Sequence, residues 1–279
     1  MVSPWLIGFV LFTAGPMIAS FAMAGMEWDL LSSPRWVGLA NLQKMVVDDP
    51  LPLHSLKITL IYAVGSLPLH LVFGLSLAML LNTRIRGLSV MRTIYYLPAV
   101  LSGVAVALLW RWIFSPEFGL INMVLAVFGI PGPGWLTDRT WVLPAFIIMS
   151  LWSVGGSMVI YLAGLQGIPT ELYEAADIDG AMWHHRLLYV TLPMMSAVIF
   201  FQLVMGIIQA MQVFTNAFIR TNGGPANASL FYMLYLYRQA FQFFNVGYGS
   251  AAAIVILAVT LVLTTSIMRV LEERDDAAK

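Results

Sequence analysis

Residues 166–193 read QGIPTELYEAADIDGAMWHHRLLYVTLP and lie between two long uncharged runs, 140–170 and 187–219. Pro169 with Glu171 predicts a helix start, because proline suits the first turn and an acid there suits the helix dipole. Leu172, Ala175, Ala176 and Asp179 follow at i, i+3, i+4 and i+7, which is one helical face. Two alanines on that face let another surface approach closely. Gly180 predicts a left-handed turn that ends the helix. A second helical piece over 181–190 then leads to Leu192-Pro193, where the next apolar run begins. The segment therefore predicts a short helix, a glycine turn and a second helix feeding directly into a span. A push on it would reach whatever that span packs against.

The flanking runs set the fold class. A helix crossing about 30 Å of hydrocarbon needs about 20 apolar residues. Residues 1–26, 58–83, 93–110 and 239–268 are also free of Asp, Glu, Lys and Arg. The third of these reaches spanning length only by continuing through Trp112 to Phe114. The reading is an all-α membrane protein with six transmembrane helices at about 4–26, 58–81, 93–114, 141–165, 192–216 and 246–269. The polar loop 166–191 lies between the fourth and fifth, and one domain covers 1–279. Two shorter segments predict interfacial helices. Residues 118–137 are broken by Ile130-Pro131-Gly132-Pro133-Gly134, leaving a re-entrant or surface helix. Residues 229–238, SLFYMLYLYR, carry three tyrosines that suit a helix lying at the membrane surface. Kinks are expected at Gly15-Pro16, Pro68 and Pro144. Residues 1–26 lack the basic lead of a signal peptide, so they are expected to be a retained helix of a chain that begins further upstream.

Composition agrees with this class. Of 279 residues, 60% are hydrophobic and 10% charged, against about 25% charged in soluble domains. Fourteen basic and fourteen acidic residues cancel, which gives nucleic-acid binding no electrostatic support. Without cysteine there is no disulfide and no thiol catalysis. The four histidines show no metal-ligand spacing, so no metal site is expected. Six spans put both termini on one side. Lys and Arg split seven to seven between the two sides, and density decides. Arg84, Arg86 and Arg92 fall within nine positions, and Arg269, Arg274 and Lys279 follow at the end. The positive-inside rule then places both termini in the cytoplasm.

The spacing of Glu174-Ala175-Ala176, Asp179-Gly180-Ala181 and Thr191-Leu192-Pro193 resembles the EAA loop of permease subunits of binding-protein-dependent ABC importers. Other stretches extend the resemblance: Val37-Gly38-Leu39-Ala40-Asn41, Tyr95-Tyr96-Leu97-Pro98, Phe118-Gly119-Leu120-Ile121-Asn122 and Gly247-Tyr248-Gly249-Ser250-Ala251. Thr221-Asn222-Gly223-Gly224-Pro225 is similar to an external loop of the carbohydrate branch, which includes maltose-type and glycerol-phosphate permeases. Leu187 stands where the family often has Phe, and Arg186 is alone where relatives often have several basic residues.

The resemblance implies a MetI-like permease in the cell membrane, working with a second permease subunit, two ATPase subunits and an extracytoplasmic substrate-binding protein. By it, Glu174, Ala175, Ala176, Asp179, Gly180, Leu192 and Pro193 form the element that docks on the ATPase. Asp179 is equally placed to cap the second helix. Gly223, Gly224 and Pro225 would face the binding protein. The chain has no Gly-x-x-x-x-Gly-Lys-Ser/Thr loop, so ATP and Mg would be bound by the partner ATPase, with no cofactor and no enzymatic activity on this chain.

Polar groups within spans are costly unless they face a cavity or a partner. Gln202, Gln209 and Asn216 recur every seven residues on a broad face, with Gln212 beside it. These amides, with the rings of Trp152 and Tyr161, could line a path for a sugar or polyol. Hydrogen bonding to a sister permease would explain the same amides equally well. His70 reads as a packing residue, and Gly155-Gly156 as a site of close helix packing or local unwinding. A secondary transporter would want acids or bases within its spans, and a membrane enzyme would want clustered catalytic side chains. The spans show neither. A non-sugar ABC permease is the nearest rival to a sugar permease.

Overall fold

The computed structural model describes residues 2–83 and 86–277, with side chains as far as Arg269. Arg84, from the dense basic cluster, lies outside the described residues, as do the side chains of Arg274 and Lys279. In chain order the helices are α1 (Ser3–Ala24), α2 (Ala40–Val47), α3 (Leu51–Leu80), α4 (Leu88–Val100), α5 (Gly103–Ile113), α6 (Leu120–Val127) and α7 (Val142–Leu151). Then come α8 (Gly155–Gln166), α9 (Thr170–Ile178), α10 (Trp183–Met194), α11 (Ser196–Met211), α12 (Thr215–Arg220), α13 (Tyr232–Tyr237) and α14 (Val246–Ala277). A two-stranded antiparallel ribbon, β1 (Met26–Glu27) with β2 (Arg35–Trp36), pairs Met26 with Trp36 and Glu27 with Arg35.

By length and hydropathy, α1, α3 and residues Val246–Arg269 of α14 can each cross a membrane alone. Three bent pairs supply the rest: α4 with α5 at 98°, α7 with α8 at 45°, and α10 with α11 at 67°. The run expected as one span over 93–114 is therefore two helices. Leu101 and Ser102 are extended (ψ 146° and 130°), which turns the chain sharply between them. The prolines act less simply than expected. α3 runs unbroken through Pro68. Pro144 is the third residue of α7, where its missing N–H has no helical partner to lose. Pro16 and Pro193 each follow a π-turn, Val10–Ala14 and Leu187–Thr191. A wider turn relieves the clash of a proline ring with the carbonyl four residues back.

The chain forms two compact units, one of residues through Leu60 and from Met211 onward, the other Ile61–Ala210. In the first unit, small residues open the way for close backbone approach at the start of α14. A Cβ on Gly247 would lie 1.9 Å from the Met26 carbonyl oxygen, and one on Gly249 would lie 2.6 Å from Ala240 Cβ. The Trp28 carbonyl accepts the Val246 N–H at 3.0 Å, satisfying one of the orphan donors at the α14 start. Asn41 donates to the carbonyls of Ala24 and Met26, both at 2.8 Å, where α1 gives way to β1.

The short helix α13, expected at a surface, packs inside its own unit. Tyr232 and Tyr235 are each only 1% exposed. The reason is that partners wait inside. Tyr235 Oη donates to Asp49 Oδ2 at 2.8 Å, and Tyr248 Oη donates to the same oxygen at 3.0 Å. Asp49 Oδ1 accepts the Leu51 N–H at the start of α3. The Tyr232 N–H donates to Thr59 Oγ1 at 2.9 Å. Burial first, then the bonds to Tyr248 and Asp49, holds the Tyr235 hydroxyl well above its ordinary value near 10. A raised folded-state value means stability is full below about pH 10 and falls as pH climbs beyond it. Melting temperatures of the purified protein should be flat from pH 7 to 9.5 and drop by pH 11. No drop by pH 11 would count against the buried triad.

In the second unit the core joins α3, α8 and the α10–α11 corner. Ala78, Met158, Tyr161, Leu162, Leu165 and Met195 are all buried there. Gly155 lets α8 lie against the backbone of α4: a Cβ on it would sit 1.9 Å from the Tyr95 carbonyl oxygen. Packing and unwinding, both read from Gly155-Gly156, occur together, since the chain breaks at 152–154 immediately before α8. His70 bonds the Ser150 backbone. The 116–135 segment folds around Asn122, whose amide donates to the carbonyls of Pro116 and Pro133 and accepts Trp135 Nε1–H at 2.7 Å. α6 is the short helix expected within 118–137.

Candidate functional site

The loop 166–193 folds as its sequence predicts. Pro169 is the N-cap of α9, with Glu171 in the first turn. At the other end Gly180 has φ +69°, a left-handed conformation that suits glycine. Its N–H donates to the Asp177 carbonyl at 3.1 Å, and the Ala181 N–H donates to the Ala176 carbonyl at 2.9 Å. This is the paired closure of a Schellman motif. Met182 is the N-cap of α10 and makes no side-chain cap bond, so Asp179 does not fill the capping role open to it. It is the C-cap of α9 instead.

Two ties make the loop one piece. Arg186 Nη1 and Asp177 Oδ1 pair at 2.6 Å across the glycine turn. Tyr173 Oη and Thr191 Oγ1 share a hydrogen bond at 3.0 Å between α9 and the π-turn. Tyr173 and Ala176 consequently turn inward, half-buried. Glu171, Leu172, Glu174, Ala175, Asp179 and Gly180 are exposed. The face shown outward is thus Leu172, Ala175 and Asp179, with Ala176 at its inner edge. Beside it stand Ile178 at 87% exposed and Trp183 at 70%. An apolar, acid-rimmed surface of this kind is unusual on an unpartnered soluble face. Leu192 and Pro193 lie in α10 just before the 67° corner at Met195, so they connect the loop to α11.

The residues expected to line a path separate. Gln202 is half-buried and its Nε2 donates to the Ser157 carbonyl at 3.2 Å. Gln209 is exposed one heptad further along α11. Trp152 stands at the break between α7 and α8, edge-on to Trp110 with centroids 5.8 Å apart. Tyr161 is not a surface ring. It is fully buried, because Gly74 and Met195 leave room for it in the core, and its hydroxyl has no hydrogen-bond partner among the described residues. The heptad also stops short. α11 ends at Met211 rather than 216, and Phe214 (φ −126°, ψ −67°) is out of helical geometry. Gln212 falls beyond the helix end and Asn216 belongs to α12, so the seven-residue spacing does not place them on the face of Gln202.

The loop 221–230 is tied down. Arg238 Nη2 donates to the Asn222 carbonyl at 2.6 Å, and Ser229 Oγ donates to the Gly224 carbonyl at 2.6 Å. Gly223 (φ +79°) is buried, with a would-be Cβ 3.2 Å from both Arg238 and Leu230. Gly224 and Pro225 are half-buried, and the exposed crest is Asn222 and Ala226. Sequence reading missed Asp49 with its two tyrosines, and Arg92, whose Nη2 caps the Leu81 carbonyl at 2.8 Å past the end of α3. A basic residue some ten positions after a predicted helix end was the available signal. No group of three or more His, Asp or Glu able to hold a metal occurs among the described residues.

Comparison with known proteins gives this geometry its context. The chain is 42% identical over 267 residues to a probable ABC transporter permease protein, YesP, of Bacillus subtilis, covering 94% of this chain and 86% of that one. It is 32% identical over 272 residues to the trehalose/maltose transport system permease protein MalF of Thermococcus litoralis, covering 96% and 90%. Its fold superposes with a TM-score of 0.84 and 26% identity on a chain of a bacterial alginate ABC transporter in complex with an alginate pentasaccharide-bound periplasmic protein, covering 96% and 91%. Residues 70–274 match the family model of the binding-protein-dependent transport system inner membrane component. With its helical architecture and spanning segments, this multi-pass membrane protein belongs to that family of transport permeases.

Proposed function

We propose that the chain is one of two permease subunits of an ATP-driven importer, and that it passes a neutral sugar or polyol delivered by an extracytoplasmic binding protein. The observation that carries this reading is the α9–Gly180–α10 loop. It is stiff, exposed, and joined through one corner to α11, which holds Gln202 and Gln209. Relatives named for trehalose/maltose and lactose transport support the solute class.

In this reading both termini and α9 are cytoplasmic. Glu174, Ala175 and Asp179 dock with Leu172 on a partner ATPase that binds ATP and Mg, while Gly180 shapes the turn. Ala176 packs behind them, and Leu192-Pro193 passes the motion to α11. ATP binding can favour one permease state only through contacts that differ between states, and this loop is the surface built to make them. Trp152, Gln202 and Gln209 serve the solute path. The loop holding Gly223, Gly224 and Pro225 presents Asn222 and Ala226 to the binding protein. The test is a mild-detergent pull-down from native membranes. An ATPase and a second permease are expected in equal amounts. A chain recovered alone, and active in liposomes without ATP, would overturn the reading.

A further inference from the structure

The first unit contains a polar cavity of about 500 Å³ beside the β1–β2 ribbon. That volume falls within the roughly 300–1,000 Å³ of small-molecule sites. Its walls include Trp28, Asp29, Lys44, Gln239, Asn245 and Tyr248. Several wall groups already have work. Asp49 is committed to Tyr235, Tyr248 and the Leu51 N–H. Asp29 Oδ1 accepts the N–H groups of Leu31 and Ser32 and the Ser32 hydroxyl, which hold its carboxyl below the usual range.

What remains is a mixture of donors and acceptors. Lys44 Nζ lies 5.6 Å from the Tyr248 ring centroid and pairs with no carboxylate among the described residues. Asn245 Nδ2 donates to Gln239 Oε1 at 3.3 Å, leaving Gln239 Nε2 as donor and Asn245 Oδ1 as acceptor. Asp29 Oδ2 is a further acceptor. The Trp28 ring is fixed by its Nε1–H bond to the Ser32 carbonyl at 3.1 Å. An ion of either sign would meet a charge of its own sign here, Lys44 or Asp29, and an apolar ligand would strand every polar group. A hydroxyl is both donor and acceptor, and a ring such as Trp28 offers a flat apolar face.

We propose that this cavity is a second solute site, apart from the residues assigned to the path, and that it takes one or two units of a neutral sugar. It deepens the reading of the chain as a sugar permease. With a cytoplasmic N-terminus, the β1–β2 ribbon follows the first span and so lies on the side where solute would arrive. The test uses the protein as purified from native membranes, in lipid nanodiscs without nucleotide or binding protein. It is titrated calorimetrically with glucose, maltose, trehalose and lactose. Saturable binding of at least one sugar is expected. Lys44→Met and Gln239→Leu should each weaken it at least about tenfold, the scale of a lost hydrogen bond to a charged or fixed partner. Glu117→Gln, at an exposed side chain outside both the cavity and the solute path, should leave it unchanged. Circular dichroism melts confirm that each variant is folded. Failure of all four sugars to bind overturns the proposal. So does binding that both cavity variants keep at wild-type strength. If binding follows Lys44 and Gln239 but the protein imports none of these sugars, the cavity site stands and the sugar-import reading falls.

Discussion

Glu174→Lys is expected to abolish ATP-driven uptake, by about a hundredfold or more, while the protein still inserts and folds. Glu174 is exposed on α9 and makes no hydrogen bond or ion pair among the described residues, so its reversal removes nothing from the chain's own structure. Across a docked interface, like charges face to face cost several kcal/mol. Gly180 provides a matched pair of variants. No atom lies within 4 Å of a would-be Cβ there, so the constraint is the +69° φ alone. A β-branched residue would pay about 1–2 kcal/mol for that conformation, whereas Asn visits it readily. Gly180→Val should therefore impair coupling and Gly180→Asn should keep most of it. The measurements are uptake and binding-protein-stimulated ATP hydrolysis in proteoliposomes. Full uptake by Glu174→Lys, or failure of that variant to reach the membrane, would refute the docking role.

Gly155→Ala should cost the fold itself. The new methyl would stand 1.9 Å from the Tyr95 carbonyl oxygen, which is backbone and cannot swing away. α4 and α8 would have to part by about 1 Å. Ordinary overpacking costs about 1–3 kcal/mol, and this change belongs at or above the top of that range. Gly156→Ala is the control, because its nearest neighbour would be Ala99 Cβ at 3.8 Å, ordinary contact. Size-exclusion profiles and melting temperatures in detergent should show the first variant aggregated or greatly destabilised and the second close to wild type. Equal behaviour of the two would contradict the α4–α8 approach.

The loop 166–193 was readable because its signals are local. Gly180, Pro169 and Glu171 each act within one turn of where they stand, and the helix closes where the sequence says it should. The spans were readable as apolar runs, but their bends were not. Both sides of Leu101-Ser102 are apolar, so hydropathy does not mark the 98° turn between them. Tyr232 and Tyr235 looked interfacial because tyrosine often is. Their burial depends on Asp49, which is 186 residues away from Tyr235 in sequence and invisible to any local pattern. The seven-residue spacing of Gln202, Gln209 and Asn216 assumed a helix that continues past Met211. Tyr161 is buried for a related reason: a ring in a span faces core or cavity according to its neighbours' sizes, and Gly74 decided for the core.

The π-turn at Leu187–Thr191 sets an angle. It holds one residue more than an α-turn over the same rise, and each helical residue turns the chain by about 100°. Take that residue away and everything upstream rotates by about that angle relative to everything downstream. The bond from Tyr173 to Thr191 and the bond from Gln202 to Ser157 could not then both survive. The azimuth of α9 around the axis of α10, and so the direction in which any force on the loop is delivered, is written into the chain as a count of residues.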